Sequence, residues 1–149
     1  IIRYLEKNKS VTVGYRTAEE LKMLIGTAIA DGRNFMADVR GRSTETGLPV
    51  EADVDSQEIR TALEEPLDSI VHAVVSILEK TPPELAADIA DHGIVLTGGG
   101  ALLDGFDRLI ARATGMAAYL CDTPLLSVAN GAGKALAEMD RLKDSYYES

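Results

Sequence analysis

Four β-favouring residues, Ile94-Val95-Leu96-Thr97, run straight into three glycines, Gly98-Gly99-Gly100, and the apolar segment Ala101-Leu102-Leu103 follows at once. This order reads as strand, tight turn, helix. Glycine admits φ > 0 and carries no Cβ to hold a ligand away from the backbone. Such a turn also presents unpaired N–H groups at a helix start, where the dipole is positive, and it can accept a nucleotide. The alternative is a glycine run that only makes the turn.

The remaining sequence supports a compact α/β protein. Its 149 residues suffice for one domain or two small lobes, and 46% hydrophobic residues can form a sizeable core. A net charge of −9 offers no broad basic surface to neutralise phosphates, which argues against general nucleic-acid binding. It leaves room for one mononucleotide in a local site. The single Cys121 cannot close an internal disulfide, so a reducing compartment is expected, with Cys121 as a small buried core residue. No apolar run is long enough to span a membrane. The chain opens Ile1-Ile2-Arg3 without Met and reads as a piece of a longer protein.

Periodicity divides the chain into segments. Ile1, Ile2, Tyr4 and Leu5 share one face of a short opening helix, and Val11 and Val13 form a brief extended stretch. Thr17-Ala18-Glu19-Glu20 has the form of a capping box and predicts a helix from Ala18 to Thr27 with Leu21, Leu24, Ile25 and Ala28 inward. Alternation over 34–40 (Phe35, Ala37, Val39) and 47–55 (Leu48, Val50, Ala52, Val54) predicts an antiparallel pair. Ser56 caps a helix to Glu64, and Pro66 opens a separate one with a stripe at Leu67, Ile70, Val71, Val74, Val75 and Leu78. His72, beside that stripe, is expected half-buried. After Pro82-Pro83 a short helix runs through Ala90. A helix then spans Leu102 to about Gly115, a strand 117–121, and a last helix 128–142. The two strands joined by a helix predict a parallel pair.

Two segments combine into a candidate site. Glu19 and Lys22 stand at i and i+3 on one helix face. A carboxylate accepts from ribose hydroxyls, and a lysine stem can lie along a base. The glycine turn lets a sugar or base approach closely. The plain alternative for Glu19 and Lys22 is a solvated ion pair.

Tyr15-Arg16-Thr17-Ala18-Glu19, Val39-Arg40-Gly41-Arg42, Thr46-Gly47-Leu48-Pro49, the run Glu79-Lys80-Thr81-Pro82-Pro83-Glu84-Leu85-Ala86-Ala87-Asp88-Ile89, the Gly93–Leu103 run and Gly131-Ala132-Gly133-Lys134-Ala135-Leu136 follow one another along nearly the whole chain. In this order they resemble the bacterial actin homologues of the MreB family. The resemblance implies a partial actin-like (ribonuclease H-like) α/β ATPase fold, with residues 1–25 and 66–149 in subdomain IIA and 26–65 as the inserted subdomain IIB. It implies the adenosine side of an ATP/ADP cleft: Glu19, with Glu20 nearby, and Lys22 at ribose and base, and Gly98, Gly99, Gly100, Ala101 and Leu102 as the adenosine turn. The phosphate loops and the groups near Mg²⁺ would lie outside this chain, which would hold no catalytic residue and would not be an enzyme alone, whereas the intact family is a slow ATPase. The resemblance further implies self-association into filaments, and cell-wall synthesis and membrane morphogenesis proteins as partners. It places the protein in the cytoplasm at the inner membrane face, with membrane contact made by a missing N-terminal part. The family usually has Glu where Tyr15 stands. The competing readings are a fragment of a sugar kinase or chaperone ATPase with the same core, and an α/β interaction domain with an empty glycine turn.

Overall fold

The computed structural model describes residues 1–139; the expected end of the last helix at Leu142 and the tail 145–149 lie outside the described residues. The first lobe contains α1 (Ile2–Lys9), β1 (Val11–Thr12), α2 (Tyr15–Ile25), β2 (Met36–Ser43) and β3 (Pro49–Asp55). Its three strands form an antiparallel sheet in the order β1-β2-β3, with Val11 opposite Ser43 and Val39 opposite Ala52. Leu5, Val11, Leu21, Ile25, Val39, Val54 and Ile59 form its core. Residues 1–25 share a core with the 36–55 hairpin, because β1 adds a strand to it.

The long helix α3 (Ser56–Glu79) leads out of this lobe into a second one. There follow α4 (Pro83–His92), β4 (Ile94–Leu96), a 3-10 turn over Gly99–Leu102, α5 (Phe106–Thr114), β5 (Ala118–Leu120) and α6 (Ser127–Ala137). β4 and β5 pair in parallel, as the strand–helix–strand order predicts. Ala28, Leu67, Ala101, Phe106 and Ile110 form the second core. Leu63 packs against both cores, so α3 is a strut shared by the two lobes. Complete burial of Ile59 or Ile110 stabilises the fold by roughly 1.5–3 kcal/mol each.

Several local expectations are corrected. The Thr17 capping box does not form: α2 begins at Tyr15, and extended Gly14 is its N-cap with no side-chain hydrogen bond. The Ala18 N–H instead donates to the Gly14 carbonyl at 3.1 Å. Leu24, Phe35 and Leu48 point outward, and His72 is exposed. Asp55, not Ser56, caps α3. Its carboxylate accepts from the Glu58 N–H at 2.8 Å while Glu58 accepts from the Asp55 N–H at 3.1 Å. Ser56 is turned inward, where its N–H and hydroxyl both donate to the Phe35 carbonyl.

Pro66 does not divide α3. A helix-interior proline costs about 3 kcal/mol. Here the capping box and the burial of Ile59 and Leu67 on either side of Pro66 outweigh that cost. Finally, α5 starts at Phe106 rather than Leu102, because Leu103-Asp104-Gly105 intervenes, with Gly105 in the left-handed region at φ 71°. A Cβ there would lie 2.5 Å from the Ile29 side chain, so this turn needs glycine for space as well as for backbone angle.

Candidate functional site

Helix α2 positions the first half of the candidate site. Its buried face, Ala18, Leu21 and Ile25, locks it on the first core and leaves Glu19 and Lys22 on its flank. Lys22 Nζ donates to Glu19 Oε1 at 2.8 Å, with side-chain exposures of 32% and 41%. A partly exposed pair one turn apart contributes only a few tenths of a kcal/mol, so both groups can exchange partners at little cost. They line an open recess of about 450 Å³, together with Tyr4, Tyr15, Ala18 and Leu63. Glu20 does not share it. Its carboxylate pairs with Arg16 at 2.9 Å and faces a second recess beside Leu24, Val39 and Arg40.

The glycine turn supplies the second half. Gly98 takes φ 84° and ψ 170°, a conformation essentially reserved for glycine. Its N–H donates to the Pro124 carbonyl at 3.0 Å, which fixes the turn against the segment leading into α6. A Cβ on Gly98 or Gly100 would meet no atom within 4 Å. Among the described residues, the N–H groups of Gly99 and Gly100 find no acceptor. Ala101 anchors the turn in the second core, and Leu102 is exposed. The turn is thus an open backbone surface with free donors, the cradle that a nucleoside or anion needs.

The two halves are tied together but do not line one recess: Gly98–Leu102 form no part of the Glu19–Lys22 walls. Contact runs through the chain immediately after each of them. Gly26, whose N–H donates to the Lys22 carbonyl at 3.0 Å, abuts Leu103. Thr27 pairs with Asp104 in a parallel bridge, and the Ala28 N–H donates to the Asp104 carbonyl at 2.8 Å.

Sequence reasoning missed Thr27, Arg33 and Asp104. The Asp104-Gly105 dipeptide signals a turn, but nothing local identifies partners more than 70 residues away. Cys121 is corrected as well. It is half-exposed, with Sγ 3.2 Å from the Ser127 hydroxyl and 3.5 Å from that of Thr97. Those two hydroxyls, Ser127 first, hold its thiol below the ordinary range. Among the described residues no group of three or more His, Cys, Asp or Glu could hold a metal ion, and no helix is long and apolar enough to cross a membrane.

Residues 1–144 match the family model described as MreB/Mbl protein. The chain is 41% identical over 142 residues to the cell shape-determining protein Mbl of Bacillus subtilis, covering 95% of this chain and 43% of that one. It is 46% identical over 140 residues to the cell shape-determining protein MreB of Escherichia coli K12, covering 94% and 40% respectively. Among solved structures, MreB 5 of Spiroplasma citri bound to AMPPNP matches with a TM-score of 0.90 and 30% identity, over 97% of this chain and 44% of that one. The ADP-bound form matches equally. The chain spans about two-fifths of the length of these relatives.

Proposed function

The chain belongs to the MreB/Mbl family and has part of its actin-like α/β fold, and from that premise we propose that it forms the adenosine side of an ATP/ADP cleft in a filament-forming protein that determines rod cell shape. Glu19 accepts from the ribose hydroxyls, and the Lys22 stem lies along the base while its ammonium meets a polar edge. Gly98, Gly99, Gly100, Ala101 and Leu102 receive the nucleoside on open backbone, with Glu20 as an outer candidate. The observation that carries this reading is the open turn: space above Gly98 and Gly100, and unpaired N–H groups on Gly99 and Gly100. The AMPPNP and ADP carried by structures of the same fold support it. The family match favours it over a sugar kinase or chaperone fragment.

In this reading residues 1–25 and 66–149 belong to subdomain IIA, and residues 26–65 correspond to the inserted subdomain IIB. The phosphate cradle and the Mg²⁺ groups lie in the rest of the parent polypeptide. Bound Mg²⁺ would neutralise phosphate charge there. Nucleotide binding favours domain closure and head-to-tail self-association, in the cytoplasm at the inner membrane face, where the filament guides cell-wall synthesis. This chain alone has no turnover.

Calorimetry tests the reading. The parent polypeptide binds ADP, and Lys22→Met weakens it. The isolated chain binds far more weakly than micromolar. Tight binding by the isolated chain, ATP hydrolysis by it above background, or an unaltered Lys22→Met parent overturns the corresponding claim.

A further inference from the structure

One residue outside both halves of the candidate site joins the chain just after one half to the chain just after the other. Asp104 follows the glycine turn by a single residue, Leu103. Its carboxylate Oδ2 accepts from the Thr27 hydroxyl at 2.8 Å and from the Arg33 N–H at 2.8 Å. Its carbonyl accepts from the Ala28 N–H at 2.8 Å. Arg33 extends the junction: Nη1 donates to the carbonyls of Met23 and Leu24 at 3.3 and 3.1 Å, in the last turn of α2. Its Nε stands 3.9 Å from Asp104, and its guanidinium stacks 6.0 Å over Phe35. Thr27 is completely buried.

The lever arms are short. Thr27 follows the end of α2 at Ile25 by two residues, and Lys22 lies in the last turn before that end. From Asp104 back to Leu102 is two residues. A binding surface assembled from two separate elements loses affinity when they shift by an ångström. Resting on the reading of Glu19, Lys22 and Gly98–Leu102 as one nucleoside site, we propose that Asp104 is a positioning residue for nucleotide binding, which through Thr27 and Arg33 sets the end of α2, and with it Lys22, relative to the glycine turn.

Asp104 contributes no group to the nucleotide in this arrangement. Its removal therefore matters only while Lys22 and the turn both make contact. That distinguishes positioning from bulk stability, because residues acting as a unit give non-additive effects.

The test is titration of the full-length parent polypeptide with a fluorescent ADP analogue, with melting temperature followed in parallel. The variants are Asp104→Asn, Thr27→Val, Thr27→Ser, Lys22→Met and the double variant Asp104→Asn/Lys22→Met. Asp104→Asn and Thr27→Val each weaken binding by about three- to tenfold. Thr27→Ser, which keeps the hydroxyl, restores it. The double variant binds no more weakly than Lys22→Met alone. Wild-type affinity in Asp104→Asn, multiplied losses in the double variant, or a loss accounted for by the unfolded fraction overturns the positioning role while leaving the site reading intact. An unaltered Lys22→Met variant overturns the site reading itself, and positioning with it.

Discussion

Ile59 and Leu67 lie about two turns apart along α3, yet each is buried in a different hydrophobic core, Ile59 with Val39 and Val54, Leu67 with Phe106 and Ile110. One continuous helix thus joins the lobes, and cavities at either point propagate to both. Ile59→Ala and Leu67→Ala each destabilise the protein by about 2–5 kcal/mol. Hydrogen exchange at Val39 and Ile110 reads the two cores separately. Protection falls at both sites in either variant; loss confined to the mutated lobe shows that α3 does not couple them.

The capping box at the start of α3 carries a smaller share. Asp55→Ala leaves the Glu58 N–H without its acceptor and lowers stability by about 0.5–2 kcal/mol. Ser56→Ala acts differently, because Ser56 is fully buried and its hydroxyl also accepts from the Phe35 N–H at 2.9 Å. That loss orphans a donor next to β2. Urea midpoints for the two variants, compared with a Thr17→Ala control of near-zero effect, check the assignment of the cap to Asp55.

What the sequence made legible were features set by near neighbours: the alternation of β2 and β3, the apolar strands β4 and β5, the i,i+3 pair Glu19–Lys22, and the glycine turn. The misses share a cause. Pro66 carries a strong local penalty, but the burial of Ile59 and Leu67 that overrides it depends on residues far along the chain. Leu24 fits the helical period of α2, yet the sheet packs on Leu21 and Ile25 and leaves Leu24 at the edge of a recess. Thr17 and Ser56 have cap chemistry, but Thr17 lies inside α2, which Gly14 caps, and Ser56 turns inward behind the Asp55 cap. Asp104 read as a turn residue because its partners, Thr27 and Arg33, come together with it only in three dimensions.

Acid stability bears on the same junction. Burial raises the Asp104 carboxyl, but the Arg33 N–H, the Thr27 hydroxyl and the charges of Arg33 and Arg108 outweigh it and hold the group below the usual carboxylate range. A carboxyl depressed on folding contributes fully above its unfolded value and loses that contribution as pH falls through the folded one. The stability difference between wild type and Asp104→Asn is therefore largest near neutrality and shrinks below about pH 4. Denaturant titrations at a series of pH values measure it; a difference that grows toward acid contradicts the sign.

Cys121 offers a chemical probe of the second lobe. The Ser127 and Thr97 hydroxyls lower its pKa and so favour the thiolate. Ser127→Ala raises the thiol's pKa and shifts the pH profile of iodoacetamide alkylation to higher pH. An unchanged profile in that variant removes Ser127 as the cause.

The glycine turn separates backbone conformation from ligand access, because its residues differ in what they tolerate. Gly98 holds φ 84° and ψ 170°, so Gly98→Ala imposes strain of about 1–3 kcal/mol even though the added methyl meets no atom. Gly100 has no positive φ and equally open space around it, so Gly100→Val leaves the melting temperature within about a degree or two while filling the cradle. In the parent polypeptide Gly100→Val weakens ADP binding at unchanged stability, whereas Gly98→Ala lowers the melting temperature. If Gly100→Val binds ADP as wild type does, the nucleoside does not rest on this turn.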